Sequence, residues 1–247
     1  MNLIPTLFLV ISTLQLSESF FFSSSIVGEF VSYEEIVQWT LEMCEKYSEL
    51  AKCGAYGSSY ENRELRFIKI GAKSSLEKKP EIFIEAGIHA REWLAPATMI
   101  WIIDHMLTGY NKEPEITDFL NKFDFIIIPS SNPDGYEFSQ TSGNRNWRKT
   151  RSKQEWGIYG ADPNRNFNDS WAHSGSSNDP RHETYHGRNA FSETETLSMA
   201  RFINSEKENI LAFFAIHCFG QYWLLPYGDI SEHYPDNYQE LVSFHSH

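Results

Sequence analysis

The stretch EAGIHAREW, residues 85–93, directly follows a predicted strand and decides how the rest of the chain is interpreted. His89 and Glu92 stand three residues apart, and a tight turn or a first helical turn brings side chains at that spacing to one side. Imidazole nitrogen and carboxylate oxygen both suit zinc. Gly87 lets the backbone bend there without a Cβ penalty. A His-x-x-Glu pair also occurs by chance, so a surface pair on a loop is the competing interpretation.

A catalytic zinc needs three protein ligands and one open position. His217 follows the predicted strand 211–216, so it also stands at the carboxyl end of a strand. In open α/β sheets, that edge is where ligands bind. Taken alone, such a histidine is more often a satisfied core residue, but His89 at another strand end favours a ligand. The sequence therefore predicts one Zn²⁺ per chain, held by His89, Glu92 and His217.

Hydrophobic patterning on both sides of this stretch predicts alternating helices and strands. Ser32 and Glu35 form a capping box that opens a helix reaching to about Leu50. Segments 65–70 and 81–85 alternate apolar with polar residues, as strands do, and the lysine-rich turn 73–80 is expected to join them as a hairpin. Residues 94–107 predict a buried helix that ends at Gly109.

The second half of the chain follows the same plan. Segments 123–129 and 210–216 are continuous apolar runs, typical of strands covered on both faces. Ser192 with Glu195 predicts a second capping box, opening a helix to about Asn204. Residues 130–190 are rich in turn-forming residues, and a loop region of that length is usually functional. The pattern predicts an α/β fold with a mixed, largely parallel twisted sheet flanked by helices.

Length and charge limit the classes of function. The 247 residues, 41% of them hydrophobic, are enough for one sizeable α/β domain or at most two small ones. With 21 Lys and Arg against 33 Asp and Glu, the net charge is −12. Nucleic acids and anionic membranes reward clustered positive charge, so neither is an expected partner. We expect a monomer.

The first 31 residues precede the predicted domain. Residues 1–19 hold an apolar stretch that is too short to span a bilayer, and Ser17 and Ser19 are spaced for cleavage. They predict a signal peptide and hence a secreted protein, with an N-terminal strand or buried tail as the alternative. Residues 20–31 form a polar and aromatic lead-in.

Three cysteines, Cys44, Cys53 and Cys218, leave at least one unpaired within the chain. Cys44 and Cys53 could pair with each other, and three buried thiols are an equally supported alternative.

Six motifs occur in an order that resembles a known family. They are HAREW (89–93), NPDGY (132–136), NRNWRK (144–149), PNRNF (163–167), ETYHG (183–187) and Ile-His at 216–217. Together they resemble the zinc carboxypeptidases of peptidase family M14, which are similar to the pancreatic carboxypeptidases A and B, from about Tyr33 to Tyr227. The resemblance implies a catalytic domain over residues 32–247 that removes C-terminal residues from peptides and proteins.

The same resemblance implies roles for residues in the long loop region. Asn164 and Arg165 would clamp the substrate's terminal carboxylate, because a guanidinium fork pairs with a carboxylate through two bonds. Arg148 would be the catalytic arginine that stabilises the developing oxyanion. Arg91 and Arg145 would line the cleft and bind substrate. Surface ion pairs could explain any one of these arginines, but they do not explain all of them in motif context.

Asp162 would orient the first zinc histidine, a usual role for a carboxylate behind a metal ligand. A zinc amidohydrolase acting on non-peptide amides is disfavoured, because such substrates need no carboxylate clamp.

The chain departs from the family after His217. The family's catalytic glutamate and a substrate-covering tyrosine lie well beyond the third ligand, but about 30 residues follow His217 here. They contain Glu232 and Glu240, and neither stands in the family's motif, so we assign no general base. We expect the domain to be incomplete at its C-terminus, through a truncated gene model or a splice form, and to lack turnover. The alternative function is a secreted relative that binds zinc and peptide without hydrolysis.

Overall fold

The computed structural model describes residues 26–73, 78–228 and 234–245, so the predicted signal peptide lies outside the described residues. The strands are β1 (Ala51–Ser58), β2 (Glu64–Ile70), β3 (Glu81–Ala86), β4 (Asp124–Ile128) and β5 (Ile210–Ile216). They form one sheet in the order β1-β2-β4-β3-β5. β3 lies between β4 and β5 and is parallel to both, whereas β2 pairs antiparallel with β1 and β4.

Helices cover both faces of this sheet, which confirms the expected fold class. They are α1 (Tyr33–Lys46), α2 (Leu94–Gly109), α3 (Pro114–Lys122), α4 (Pro133–Gln140), α5 (Thr194–Glu206) and α6 (Tyr238–His245). Buried residues of α1, α2 and α3 pack with Ile68, Ile84 and Ile127 on one face. On the other face, Met199 of α5 packs with Phe83. Among the described residues, no helix combines the length and apolar character that crossing a bilayer requires.

The N-terminal helix begins as the sequence predicts. The Ser32 hydroxyl accepts a hydrogen bond from the Glu35 backbone at 3.2 Å, and the Glu35 carboxylate accepts one from the Ser32 backbone at 2.8 Å. The helix ends at Lys46, four residues before the expected end. A disulfide between Cys44 and Cys53 ties it to β1, and Cys218 is a free thiol. The pairing of Cys44 with Cys53 is therefore confirmed, and the alternative of three buried thiols is wrong.

The predicted hairpin across residues 73–80 is wrong. β2 and β3 are not neighbours, because β4 lies between them and pairs with both. The sequence also gave no indication of β1, which supplies the antiparallel partner that β2 was expected to find in β3.

Three further expectations about the second half of the chain need correction. β5 is not covered on both faces: it lies at the edge of the sheet, with Leu211 64% and Phe213 47% exposed. The second capping box does not form, since α5 starts after Glu193 and no side chain caps it. The long loop region 130–190 contains α4, whose first turn Asn132 caps through its side chain.

Candidate metal centre and substrate cleft

The ends of β3 and β5 place two distant segments side by side. The strands run parallel with Ala86 opposite Ile216, so the residues that follow each strand leave the sheet at the same edge. Gly87 turns the chain there with φ of 72°, and a Cβ on it would lie 3.0 Å from the Ser130 Cα. Glycine is therefore the residue that fits this turn. His89 and His217 follow the two strand ends and face each other.

His89, Glu92 and His217 converge on one point. The His89 Nδ1 lies 2.7 Å from the Glu92 Oε1 and 3.2 Å from the His217 Nδ1, and the His217 Nδ1 lies 3.1 Å from the Glu92 Oε2. Two ligands of a tetrahedral zinc, each about 2.1 Å from the metal, are about 3.4 Å apart. The donor types and separations thus fit a zinc ion. The His217 side chain is 33% exposed, which leaves one side of the group open.

The protonation of this group follows from its contacts. Burial would raise the pKa of Glu92, but hydrogen bonds from His217 and His89 outweigh it and lower the pKa to about 2. Burial would lower the pKa of His89, but hydrogen bonds to Asp162 and Glu92 raise it. Glu92 is therefore held as a carboxylate, and His89 keeps a proton to higher pH than a free imidazole does. Because zinc binds neutral imidazole, zinc and protons compete for His89.

Asp162 connects three parts of the site although its side chain is fully buried. Its Oδ1 lies 3.2 Å from the His89 Nε2 and accepts a bond from the Asn164 backbone at 3.0 Å. Its Oδ2 accepts two bonds from Arg148, at 3.1 and 2.8 Å. Burial would raise the pKa of Asp162, but His89 and Arg148 lower it, so the carboxylate stays charged.

Arg91 and Arg145 each bind the segment that carries the other, since Arg91 donates to the Asn146 carbonyl at 3.3 Å. The Arg145 guanidinium stacks on the Trp93 ring at 3.8 Å and donates to the Arg91 carbonyl at 2.7 Å. Arg91 donates to both carboxylate oxygens of Glu183, at 3.0 and 3.3 Å. Glu183 belongs to a motif that the sequence singles out, but nothing near it in the chain indicates that it pairs with Arg91.

Asn164 and Arg165 lie in a short 3-10 turn, Pro163–Arg165, that opens onto a cavity. Arg165 donates from Nε to the Gly175 carbonyl at 3.0 Å and from Nη1 to the Asn164 carbonyl at 2.9 Å. The cavity holds about 500 Å³, and Asn164 and His217 line it together with mostly apolar side chains of α5 and β5. Asn164 of the predicted clamp thus shares this cavity with the predicted metal ligand His217.

A family model described as zinc carboxypeptidase matches residues 36–247. The chain belongs to the zinc carboxypeptidase family. Among curated relatives, zinc carboxypeptidase A 1 of Anopheles gambiae is 38% identical over 214 residues, 87% of this chain. Carboxypeptidase O of Bos taurus is 40% identical over 209 residues, 84% of this chain.

The fold of this chain matches those of solved relatives. The crystal structure of thrombin activatable fibrinolysis inhibitor aligns with a TM-score of 0.83 at 34% identity, covering 88% of this chain and 54% of that chain. The chain spans about half the length of the curated relatives it matches, 48% of the mosquito protein and 55% of the bovine one.

Proposed function

We propose that this chain is a zinc-dependent metallocarboxypeptidase that hydrolyses the C-terminal peptide bond of peptides and proteins. The observation that carries the proposal is the convergence of His89, Glu92 and His217 beside the cavity that Asn164 lines. A metal centre next to a carboxylate-binding group suits a substrate whose reactive bond lies one residue from a free carboxylate. We also infer that the protein is secreted and acts as a monomer.

Four residues of the loop region suit tasks in this reaction: Arg148, Asp162, Asn164 and Arg165. A bound zinc activates water and polarises the scissile carbonyl. Arg165 and Asn164 bind the terminal carboxylate, because a guanidinium forms paired charge-assisted bonds with it. Arg148 stabilises negative charge that develops on the carbonyl oxygen. Asp162 orients both His89 and Arg148 through its two oxygens.

A second candidate is a zinc- and peptide-binding relative without turnover. After His217, the described residues contain one glutamate, Glu240, and it lies exposed on α6. We assign the role of general base to none of the described residues, and a turnover assay distinguishes this candidate from the first.

Metal binding is the first test. The purified chain, dialysed against zinc and then against buffer, should retain one zinc per chain by elemental analysis. His89→Ala should lose most of it, since it removes one of three ligands. His105→Ala is the matched control, because His105 is a partly exposed histidine that stacks on Trp101 of α2. Equal zinc content in the wild type and His89→Ala would refute the metal site.

Substrate recognition and turnover are the second test. Zinc-loaded protein should bind a short peptide with a free C-terminal carboxylate more tightly than the same peptide with a C-terminal amide. Zinc-dependent release of the last residue would support the carboxypeptidase and refute the non-hydrolysing relative. Preferential binding without release would support the second candidate. The absence of any preference for the carboxylate would overturn both.

A further inference from the structure

Asn166 directly follows the predicted carboxylate clamp and is fully buried. Its backbone N–H donates to the Pro163 carbonyl at 3.2 Å, and its carbonyl accepts from the Phe191 backbone at 2.7 Å. Asn164 is exposed and Arg165 is half-buried. Asn166 therefore provides the buried end of a clamp segment whose other members are more exposed.

The Asn166 side chain joins this segment to the first turn of α5. Its Oδ1 accepts from the Glu193 backbone at 3.1 Å and from the Thr196 hydroxyl at 2.7 Å. Its Nδ2 lies within 3.1 Å of three acceptors, which are the carbonyls of His186 and Asn189 and the Ser192 hydroxyl. Both polar atoms of the amide are thus used, and they fix the side chain from opposite sides.

The same turn of α5 also holds the segment that carries Arg148. The buried Glu193 carboxylate accepts hydrogen bonds from the Thr150 and Ser152 hydroxyls, two and four residues after Arg148. Its backbone N–H bonds Asn166. The start of α5 is therefore a common anchor for the oxyanion arginine and the carboxylate clamp.

We propose that Asn166 is a positioning residue that sets the clamp, Asn164 and Arg165, at a fixed distance from Arg148. The inference rests on the proposed function, since it concerns the group that would bind the terminal carboxylate. Displacing a binding group by about 1 Å can cost about a hundredfold in an enzyme site. Asn166 touches no substrate in this scheme, and its effect passes through its two neighbours.

The test compares two variants with a matched control. Asn166→Asp keeps the shape and removes the amide donors. Thr196→Val removes one bond to the Asn166 Oδ1 without adding charge. Asn121→Asp makes the same change at an exposed position on α3, which leads into the amino end of β4, whereas the site lies beyond the carboxyl ends of β3 and β5. Each zinc-loaded protein is titrated with a peptide whose last bond is reduced and cannot be hydrolysed, as the free carboxylate and as the amide.

Asn166→Asp should lower the preference for the carboxylate form by at least about tenfold. Thr196→Val should lower it by about fivefold, the size of one hydrogen bond. Both should keep their zinc, and Asn121→Asp should behave as the wild type. If both variants fold, bind zinc and keep the wild-type preference, the positioning role is overturned; if Asn166→Asp does not fold, Thr196→Val decides alone. If the wild type binds both peptides equally, then Asn164 and Arg165 do not bind the terminal carboxylate, and the positioning role of Asn166 is overturned as well.

Discussion

Replacing Glu195 with glutamine should stabilise the protein near neutral pH. Glu195 lies in the first turn of α5, and its side chain is only 2% exposed. One carboxylate oxygen accepts a bond from the Tyr60 backbone at 2.9 Å. The buried carboxylates of Asp134 and Glu193 lie nearby and oppose a further negative charge. Glutamine keeps the size of the side chain and an oxygen for the Tyr60 bond, but it cannot ionise.

The size of the effect follows from the pKa. Burial, with Asp134 and Glu193 adding to it, raises the pKa of Glu195 from 4.5 to about 7. A group whose pKa is higher in the folded state stabilises the fold fully below its unfolded pKa, and this contribution disappears as the pH rises through the folded pKa. The loss therefore falls between about pH 4.5 and about pH 7. At about 1.4 kcal/mol per pKa unit, the ionised carboxylate costs up to about 3 kcal/mol.

Chemical denaturation at about pH 5 and about pH 8 measures this directly. The free energy of unfolding of Glu195→Gln, minus that of the wild type, should rise by about 2–3 kcal/mol from the lower to the higher pH. Glu115→Gln is the matched control, since Glu115 occupies the first turn of α3 but is exposed. Its difference from the wild type should stay within about 0.5 kcal/mol at both pH values. A flat difference for Glu195→Gln would refute the argument from burial.

Three other variants test the site and its supports. Asp162→Asn should weaken zinc binding about 10–100-fold, measured by competition with a chelator, because it disturbs the partner of His89; unchanged affinity would contradict that role. Gly87→Ala should lower the free energy of unfolding more than Gly143→Ala, since both have positive φ but only the first Cβ meets neighbouring atoms. An equal decrease in the free energy of unfolding in the two variants would show that the turn at Gly87 can accommodate a Cβ. Cys53→Ser should cost about 2–3 kcal/mol in denaturant, and a wild type equally stable with and without reductant would contradict this.

Local signals in the sequence predicted the elements whose cause is local. The Ser32–Glu35 capping box needs only four residues, so the start of α1 could be predicted. The periodic apolar residues of α2 and the apolar run of β4 were also sufficient to predict that helix and that strand. Asn132 before Pro133 is likewise a local helix-start signal, but the abundance of turn-forming residues around it favoured a loop.

Sheet order could not be predicted in the same way. The hairpin was expected because β2 and β3 are consecutive in the sequence. In the sheet, however, β4 lies between them, although it begins 38 residues after the end of β3 (86 to 124). β1 carries two glycines and two alanines, which have weak strand preference, and it is stabilised by its pairing with β2. An apolar run such as β5 does not reveal whether both of its faces are covered.

In the candidate site, too, some residues could be predicted from the sequence and others could not. His89 and Glu92 are close in the sequence, and strand ends indicated His217, so the three could be named together. Glu183 and Asn166 gave no comparable signal, because their partners Arg91 and Glu193 lie 92 and 27 residues away. Such pairings depend on the folded loops rather than on spacing along the chain.

The distance along the chain between the two histidines also bears on how the protein folds. They are 128 residues apart, and the contact forms only when β5 has paired with β3. Closing so large a loop is among the slow events of folding, whereas helices such as α1 form locally and early. The three predicted ligands therefore come together only after β5 has paired with β3. The rate at which refolding chains take up zinc would report the pairing of the edge strand β5 with β3, separately from collapse.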